Sequence, residues 1–137
     1  MTQQLPQPAI DATLAELCFN SDGLVSAVAQ QHDSGEVLMV AWMNADAVRE
    51  TLKTSQVCYW SRSRSSLWRK GESSGQTQRL VGMRIDCDGD CLLLLVDQKG
   101  VACHTGRRSC FYREVGTQGP EIIHGVQTDP ASLYGSA

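Results

Sequence analysis

Short apolar runs separated by turn residues are the feature that most limits how this chain of 137 residues can fold. Runs of four to seven residues bounded by Gly, Asn, Asp or Ser are typical of β-strands, and the intervening turns predict hairpins. The runs cover residues 24–30, 37–42, 57–60, 80–85 and 91–96. The pattern therefore predicts a sheet dominated by antiparallel hairpins.

The sequence contains fewer signals for helices than for strands. Asn44 is suited to cap a helix over residues 45–53, with Val48 and Leu52 on its inner face, and residues 14–19 are a second, shorter candidate. The fold predicted is α+β, predominantly antiparallel β-hairpins with one or two short helices, over residues 14–114. Polar residues and prolines predict a loose arm at 1–13, and a stretch rich in Gly, Thr and Gln predicts a mobile tail at 115–137.

Composition narrows the classes of function. With 42% hydrophobic residues and a net charge of −3, the chain is suited to one compact domain and lacks the basic surface of a nucleic-acid-binding protein. The N-terminus has no signal-peptide pattern, and the longest apolar stretch, residues 91–96, is too short to cross a bilayer. We expect a cytoplasmic protein with no nucleic-acid or membrane partner.

Four of the six cysteines fall within residues 87–110. Cys87, Cys103 and Cys110 are separated by 16 and then 7 residues, which is not the paired spacing of a structural zinc ribbon. Soft sulfur ligands favour zinc, and three ligands with an open position would allow the metal to activate water. Two alternatives stay open: the thiols are buried small hydrophobes, or Cys91 is a fourth ligand that closes a structural site in a binding module.

Three acidic residues alternate in the same segment. In an extended chain Asp86, Asp88 and Asp90 would share one face, and their oxygens suit magnesium. A solvated acidic hairpin turn is the alternative, since Asp and Gly favour turns. An EF-hand is excluded, because Asp97 stands where that loop needs a glutamate.

His104 directly follows Cys103, so it is a candidate metal ligand, general base or hydrogen-bonded core histidine. Two basic clusters lie nearby in an otherwise acidic chain. They bind phosphate or are simply solvated, and their concentration favours an anionic small molecule as the substrate. The clusters contain Arg62, Arg64, Arg69 and Lys70, and Arg107 and Arg108.

Four segments in order carry a family resemblance: VLMVAWMNADAV (37–48), YWSRSRSSLWRKGESSG (59–75), DCDGD (86–90) and ACHTGRRSCF (102–111). They closely resemble the phosphoribosyl-AMP cyclohydrolase family, and the resemblance extends over about residues 24–114. A purine or pyrimidine deaminase is the nearest rival in chemistry, but its H-x-E and P-C-x-x-C motifs are absent from the sequence. Cys91 departs from the family pattern, which usually has no thiol there.

The resemblance implies hydrolysis of the N1–C6 bond of the adenine in phosphoribosyl-AMP, the third step of histidine biosynthesis. It implies an intertwined homodimer in which zinc is bound by Cys103, Cys110 and Cys87 of the partner subunit. It also implies magnesium at Asp86, Asp88 and Asp90. We expect zinc-activated water to attack C6 while His104 moves protons. Candidates for binding the phosphates or stacking on the base of this phosphorylated nucleotide are Arg62, Arg64, Lys70, Arg107, Arg108, Trp60 and Trp68.

Overall fold

The computed structural model describes residues 5–133, which form a six-stranded sheet, a separate two-stranded hairpin and three short helices. In chain order the elements are α1 (Gln7–Ala15), β1 (Val25–Gln31), β2 (Val37–Met43), α2 (Ala45–Thr54), β3 (Cys58–Ser61), β4 (Ser66–Arg69), β5 (Gln78–Ile85), β6 (Cys91–Gln98), β7 (Arg113–Gly116), β8 (Gly119–Ile122) and α3 (Pro130–Leu133). None of the helices within residues 5–133 is long and apolar enough to span a membrane.

The large sheet has the strand order β4-β3-β2-β1-β6-β5. Its neighbouring strands are antiparallel except at the centre, where β1 and β6 run parallel with Ser26 opposite Cys91 and Gln31 opposite Val96. This parallel pair joins two antiparallel units, one containing β1 to β4 and the other β5 and β6. The predicted α+β fold with mostly antiparallel pairing is confirmed.

The two faces of the sheet differ in their environment. Val25, Ala27 and Ala29 are buried in one core cluster with residues of α1 and α2. The alternate positions of β1 lie on the other face, where Val28 is paired with Val40 in β2 and with Leu93 in β6. None of these three side chains is fully buried. A half-covered apolar face is therefore left opposite the helices.

Helix α2 begins and ends as its sequence predicts. The Asn44 side chain accepts a hydrogen bond from the N–H of Ala47 at 2.8 Å, and the helix ends at Ser55 in a left-handed conformation with φ 61°. Val48 and Leu52 are buried in the core. Capping, periodicity and burial agree at this helix, which explains why local sequence was sufficient to predict it.

The N-terminal prediction is wrong from residue 7 onwards. Residues 7–15 form α1, with Pro6 at its N-cap and a proline in its first turn, where a missing N–H costs no hydrogen bond. Ile10 is only 2% exposed and joins the core. The helix predicted at 14–19 is displaced because it was placed by a weak local pattern, whereas packing of Ile10 fixes the helix earlier in the chain.

Two further predictions need correction. Of the predicted mobile tail at 115–137, residues 134–137 lie outside the described part of the chain. The rest contains most of the β7–β8 hairpin and α3, and Leu133 is only 3% exposed. The stretch between the predicted strand runs at 57–60 and 80–85, to which no strand was assigned, contains β4, whose Trp68 is paired with Tyr59 in β3. In both places pairing between segments supplies structure that the local composition did not predict.

Candidate active site

The CHTGRR motif folds into a tight loop. The N–H of Ala102 donates to the carbonyl of Arg108 at 2.9 Å, and that of Cys103 donates to the carbonyl of Arg107 at 3.1 Å. Inside the loop, the N–H of Gly106 donates to the carbonyl of Cys103 at 3.0 Å. These bonds hold the segment from residue 102 to 108 as one unit, referred to below as the CH loop.

The residues after the CH loop are anchored on β2. Ser109 donates its hydroxyl to the carbonyl of Val37 at 2.7 Å, and the N–H of Cys110 donates to the carbonyl of Leu38 at 2.7 Å. Strand β3 pairs with only the far end of β2, so the first half of β2 retains carbonyls for this segment. The position of Cys110 is therefore set by the sheet rather than by its own loop.

Two of the predicted zinc ligands meet in this region. Partial burial and the nearby Cys103 thiol raise the pKa of Cys110 to about 12, although part of residue 110 stays exposed. Cys103 is 5% exposed and accepts a hydrogen bond from the Thr105 hydroxyl at 3.0 Å. A bound cation would favour the thiolate forms of such a pair, so this donor set fits a soft metal ion.

His104 occupies the same loop in a different environment. It is exposed, while Cys103 before it is buried. The interpretation of His104 as a core histidine is therefore wrong. Its roles as a metal ligand or a proton carrier stay predictions.

The third predicted zinc ligand, Cys87, lies at the other end of the sheet. Its loop joins β5 to β6 and is attached beside the start of β1, where the N–H of Ser26 donates to the carbonyl of Asp90 at 3.2 Å. Cys110 is attached to Leu38, near the end of β1. At roughly 3.3 Å per residue, the attachment points of the Cys87 loop and of Cys110 are therefore more than about 10 Å apart along the strands. Zinc binds thiolates at about 2.3 Å, so these two thiols of one chain do not share an ion.

One described chain therefore brings together only two of the three thiols. Within residues 5–133, no group of three Cys, His, Asp or Glu side chains is assembled as a metal site. Cys91 begins β6, opposite Ser26, and so lies at the same distant end as Cys87. A closed site of four thiols within one chain is not supported.

The aspartate triad forms a turn and not an extended segment, so the predicted alternation of its side chains on one face is wrong. Both the N–H of Asp90 and that of Cys91 donate to Oδ1 of Asp86, at 3.1 and 3.2 Å. Although desolvation acts in the opposite direction, these donors hold the pKa of Asp86 below its ordinary value. The hydrogen bond and the charge of Asp86 raise the pKa of Asp90. The carboxylates are crowded and exposed, as a hard cation would require.

A polar pocket of about 360 Å³ lies between the β3–β4 hairpin and the loop after β4. Of the predicted substrate-binding residues, Arg64, Trp68 and Lys70 line it. Lys70 is 7% exposed and donates to the carbonyl of Gln76 at 3.0 Å, and its burial lowers the pKa of its ammonium group. The other lining residues are Ser61, Ser63, Gly71, Glu72, Ser73 and Ser74.

Three other arginines predicted to bind phosphate have partners within the chain. The guanidinium of Arg62 lies 4.9 Å from the ring centre of Trp42, and that of Arg107 lies 4.0 Å from the ring centre of Tyr112. Arg108 forms an ion pair with Glu36 at 2.9 Å. Phosphate binding by these three stays a prediction, and it would have to compete with the contacts described.

A buried polar network beneath the CH loop was not predicted. The Tyr59 hydroxyl donates to Oε1 of Gln78 at 2.7 Å, and the amide of Gln78 donates to that of Gln98 at 3.0 Å. Gln98 then donates to the carbonyls of Gly100 and Arg108, both at 3.1 Å. Glutamines at inward-facing positions of two neighbouring strands were the available signal. Their function is to connect the core to the base of the CH loop.

An α+β fold with a thiol pair and a separate polar pocket is compatible with a small enzyme, and comparison with known proteins identifies the family. The family model described as phosphoribosyl-AMP cyclohydrolase matches residues 39–112. This chain belongs to the phosphoribosyl-AMP cyclohydrolase family, a family of hydrolases. The resemblance seen in the sequence motifs is confirmed.

Similarity to individual relatives extends over most of the chain. A protein from Alkalilimnicola ehrlichii is 65% identical over 91% of this chain and 88% of its own length. Relatives from Granulibacter bethesdensis and Paramagnetospirillum magneticum are 65% and 63% identical, over 86% and 92% of this chain and 93% and 97% of their own lengths. All three are named phosphoribosyl-AMP cyclohydrolase.

Proposed function

We propose that this chain catalyses hydrolysis of the N1–C6 bond in the adenine of phosphoribosyl-AMP, the third step of histidine biosynthesis, in the cytoplasm. The product is the phosphoribosyl-formimino-aminoimidazole carboxamide ribotide. The observation that carries the proposal is the pairing of Cys103 with Cys110, which the sheet anchors, in a chain 65% identical to a relative named for this activity. The pocket lined by Arg64, Trp68 and Lys70 supplies cationic groups for a phosphorylated substrate.

Zinc would be bound by Cys103, Cys110 and Cys87 of a second subunit. The first two thiols are adjacent, and their chemistry suits a soft cation. When bound, zinc supplies Lewis acidity that makes a water molecule nucleophilic near neutral pH. Cys87 is exposed on its hairpin, which leaves it available to another copy of the chain.

A homodimer would bring the distant loop to the thiol pair. The half-covered face of the sheet supplies an apolar surface for a second copy, with Val40 51% exposed beside Val28 and Leu93. An apolar cavity of about 320 Å³ on this face is also lined by Ile85 and Cys91. Burial of such a face in an intertwined dimer would stabilise it at about 25 cal/mol per Å².

The chain's own residues would orient the substrate and move protons. Lys70 and Arg64 would bind phosphate in the pocket, and the Trp68 ring would stack on the base. The exposed imidazole of His104 would accept a proton from the attacking water and deliver one to N1 as the N1–C6 bond breaks. To bind phosphate, Arg62, Arg107 and Arg108 would each have to leave the partner that it has in the chain.

Magnesium would be bound by Asp86, Asp88 and Asp90. Oxygen donors suit this ion, and it would relieve the repulsion that raises the pKa of Asp90. When bound, magnesium supplies positive charge for the substrate's phosphates. Because Cys87 shares the aspartate loop, a dimer that delivers Cys87 to a partner's thiols delivers the carboxylates to the same site.

The test is a metal-dependent assay with the purified zinc-loaded protein. We expect phosphoribosyl-AMP to be opened in the presence of magnesium, followed by ultraviolet absorbance, and turnover to be lost on chelation. Cys103→Ser should lose zinc and activity. Intact substrate with a folded, zinc-loaded wild-type dimer would contradict the proposed reaction.

A further inference from the structure

Residues 123–128, called here the C-terminal brace, follow the β7–β8 hairpin and lie along the outside of the CH loop. The N–H groups of Gln127 and Thr128 both donate to the carbonyl of Gly106, at 2.8 and 3.0 Å. These bonds satisfy a loop carbonyl that the internal bonds of the CH loop leave free. The brace therefore contacts the backbone directly, two residues after His104.

The beginning of the brace is attached through Arg107 and Tyr112. Nε of Arg107 donates to the carbonyl of His124 at 2.8 Å, while its guanidinium stacks on the Tyr112 ring. The N–H of Ile123 donates to the carbonyl of Tyr112 at 2.8 Å. Contacts at both ends of the brace thus hold it against the CH loop.

Gly106 allows this close approach. It is buried with φ +84°, a conformation that favours glycine. A Cβ at this position would lie 1.9 Å from the Thr128 carbonyl oxygen and 3.0 Å from Cγ1 of Val126. Any larger residue would push the brace and the CH loop apart.

We propose that the C-terminal brace positions Cys103 and His104 for the reaction, and that Arg107 contributes to this positioning through its bond to the carbonyl of His124. The inference rests on the proposed function, which gives these two residues their roles. Inside the CH loop only short backbone bonds restrain Gly106, so the brace supplies the outer restraint on the turn that carries His104. Displacements of about 1 Å at a reacting group can lower turnover by up to about 100-fold. The brace lies beyond residues 39–112, which the family model matches.

Proline substitution in the full-length zinc-loaded protein tests the brace. Gln127→Pro removes the N–H that donates to Gly106, and Gln127→Ala keeps it. We expect the proline variant to lower kcat for phosphoribosyl-AMP about 10-fold or more, with KM changed less than about 2-fold, since geometry at the reacting atoms is altered and the phosphate pocket is not. The alanine variant should match the wild type.

A second pair of variants uses glycine. Gly106→Ala should have the same effect as Gln127→Pro, whereas Gly125→Ala should not, because nothing lies within 4 Å of a Cβ at Gly125. Amide hydrogen exchange supplies a measurement that does not need activity. In Gln127→Pro and Gly106→Ala, residues 103–107 should exchange faster, while β1 and β6 keep their protection.

Equal kcat and equal exchange of residues 103–107 across each pair would overturn the positioning role. So would a proline variant whose KM alone rises, because that result places the brace at the phosphate site. If the wild type fails to open phosphoribosyl-AMP, the proposed function fails, and the exchange experiment still decides whether the brace restrains the CH loop.

Discussion

At the scale of single residues, the candidate site places adjacent side chains in different environments. Cys103 is buried beside Cys110, while His104 is exposed on the same tight loop. The loop's internal bonds enforce this division, since they fix the backbone on both sides of the histidine. The proposed soft ligand and the proposed proton carrier are thereby neighbours in the sequence.

We predict that His104→Asn lowers turnover by about 100-fold or more while zinc content is unchanged, because a proton carrier is lost and the thiols remain. His124→Asn is the matched control, since only the backbone carbonyl of His124 contacts Arg107. Steady-state kinetics and metal analysis check both variants. Loss of zinc from His104→Asn would instead identify the histidine as a ligand.

At the scale of elements, β2 organises the site from both of its ends. Its first residues accept the hydrogen bonds that hold Ser109 and Cys110. Its last part pairs with β3, which leads into the pocket hairpin, and Asn44 directly after the strand caps α2. Removing the Asn44 cap should therefore lower the free energy of unfolding without altering the positions of Cys103 and Cys110.

Asn44→Ala is predicted to lower the free energy of unfolding by about 1 kcal/mol, because the N–H of Ala47 loses its acceptor. Asn44→Asp retains an acceptor and should change the free energy by less than about 0.5 kcal/mol. Urea denaturation followed by circular dichroism measures both values. Equal destabilisation by the two substitutions would show that the cap bond is not the cause.

At the scale of the whole molecule, the sheet separates Cys87 from Cys103 and Cys110, although the proposed zinc site requires all three. The parallel pairing of β1 with β6 places the loop of Cys87 at one end, and the anchoring of Cys110 on β2 places the thiol pair towards the other. In the proposed homodimer, a second copy of the chain would resolve this separation. Each site of a symmetric dimer would then contain residues of both subunits.

Mixing two inactive variants tests this arrangement. Cys87→Ser and Cys103→Ser should each be inactive alone, but their random mixture should recover roughly a quarter of wild-type activity, because half of the dimers are mixed and each has one intact site. Subunits refolded together and assayed for phosphoribosyl-AMP opening provide the measurement. No recovery from a mixture shown to contain mixed dimers would mean that all three thiols act within one subunit.

Local sequence was sufficient for the features that depend on neighbouring residues. Apolar runs predicted five of the six strands of the large sheet, Asn44 and the spacing of Val48 and Leu52 predicted α2, and the motifs predicted the family. Ligand types also follow from residue chemistry, which is why thiols and carboxylates were assigned to different metals before any geometry was known. The metals themselves stay proposals.

Only the tertiary structure decided what depends on pairing between distant segments. It placed Cys103 beside Cys110, placed Cys87 at the far end of the sheet, and gave Arg107 and Arg108 partners within the chain. It also turned the expected tail into a brace on the CH loop. Strand register and loop docking involve residues tens of positions apart, and no local period or composition specifies them.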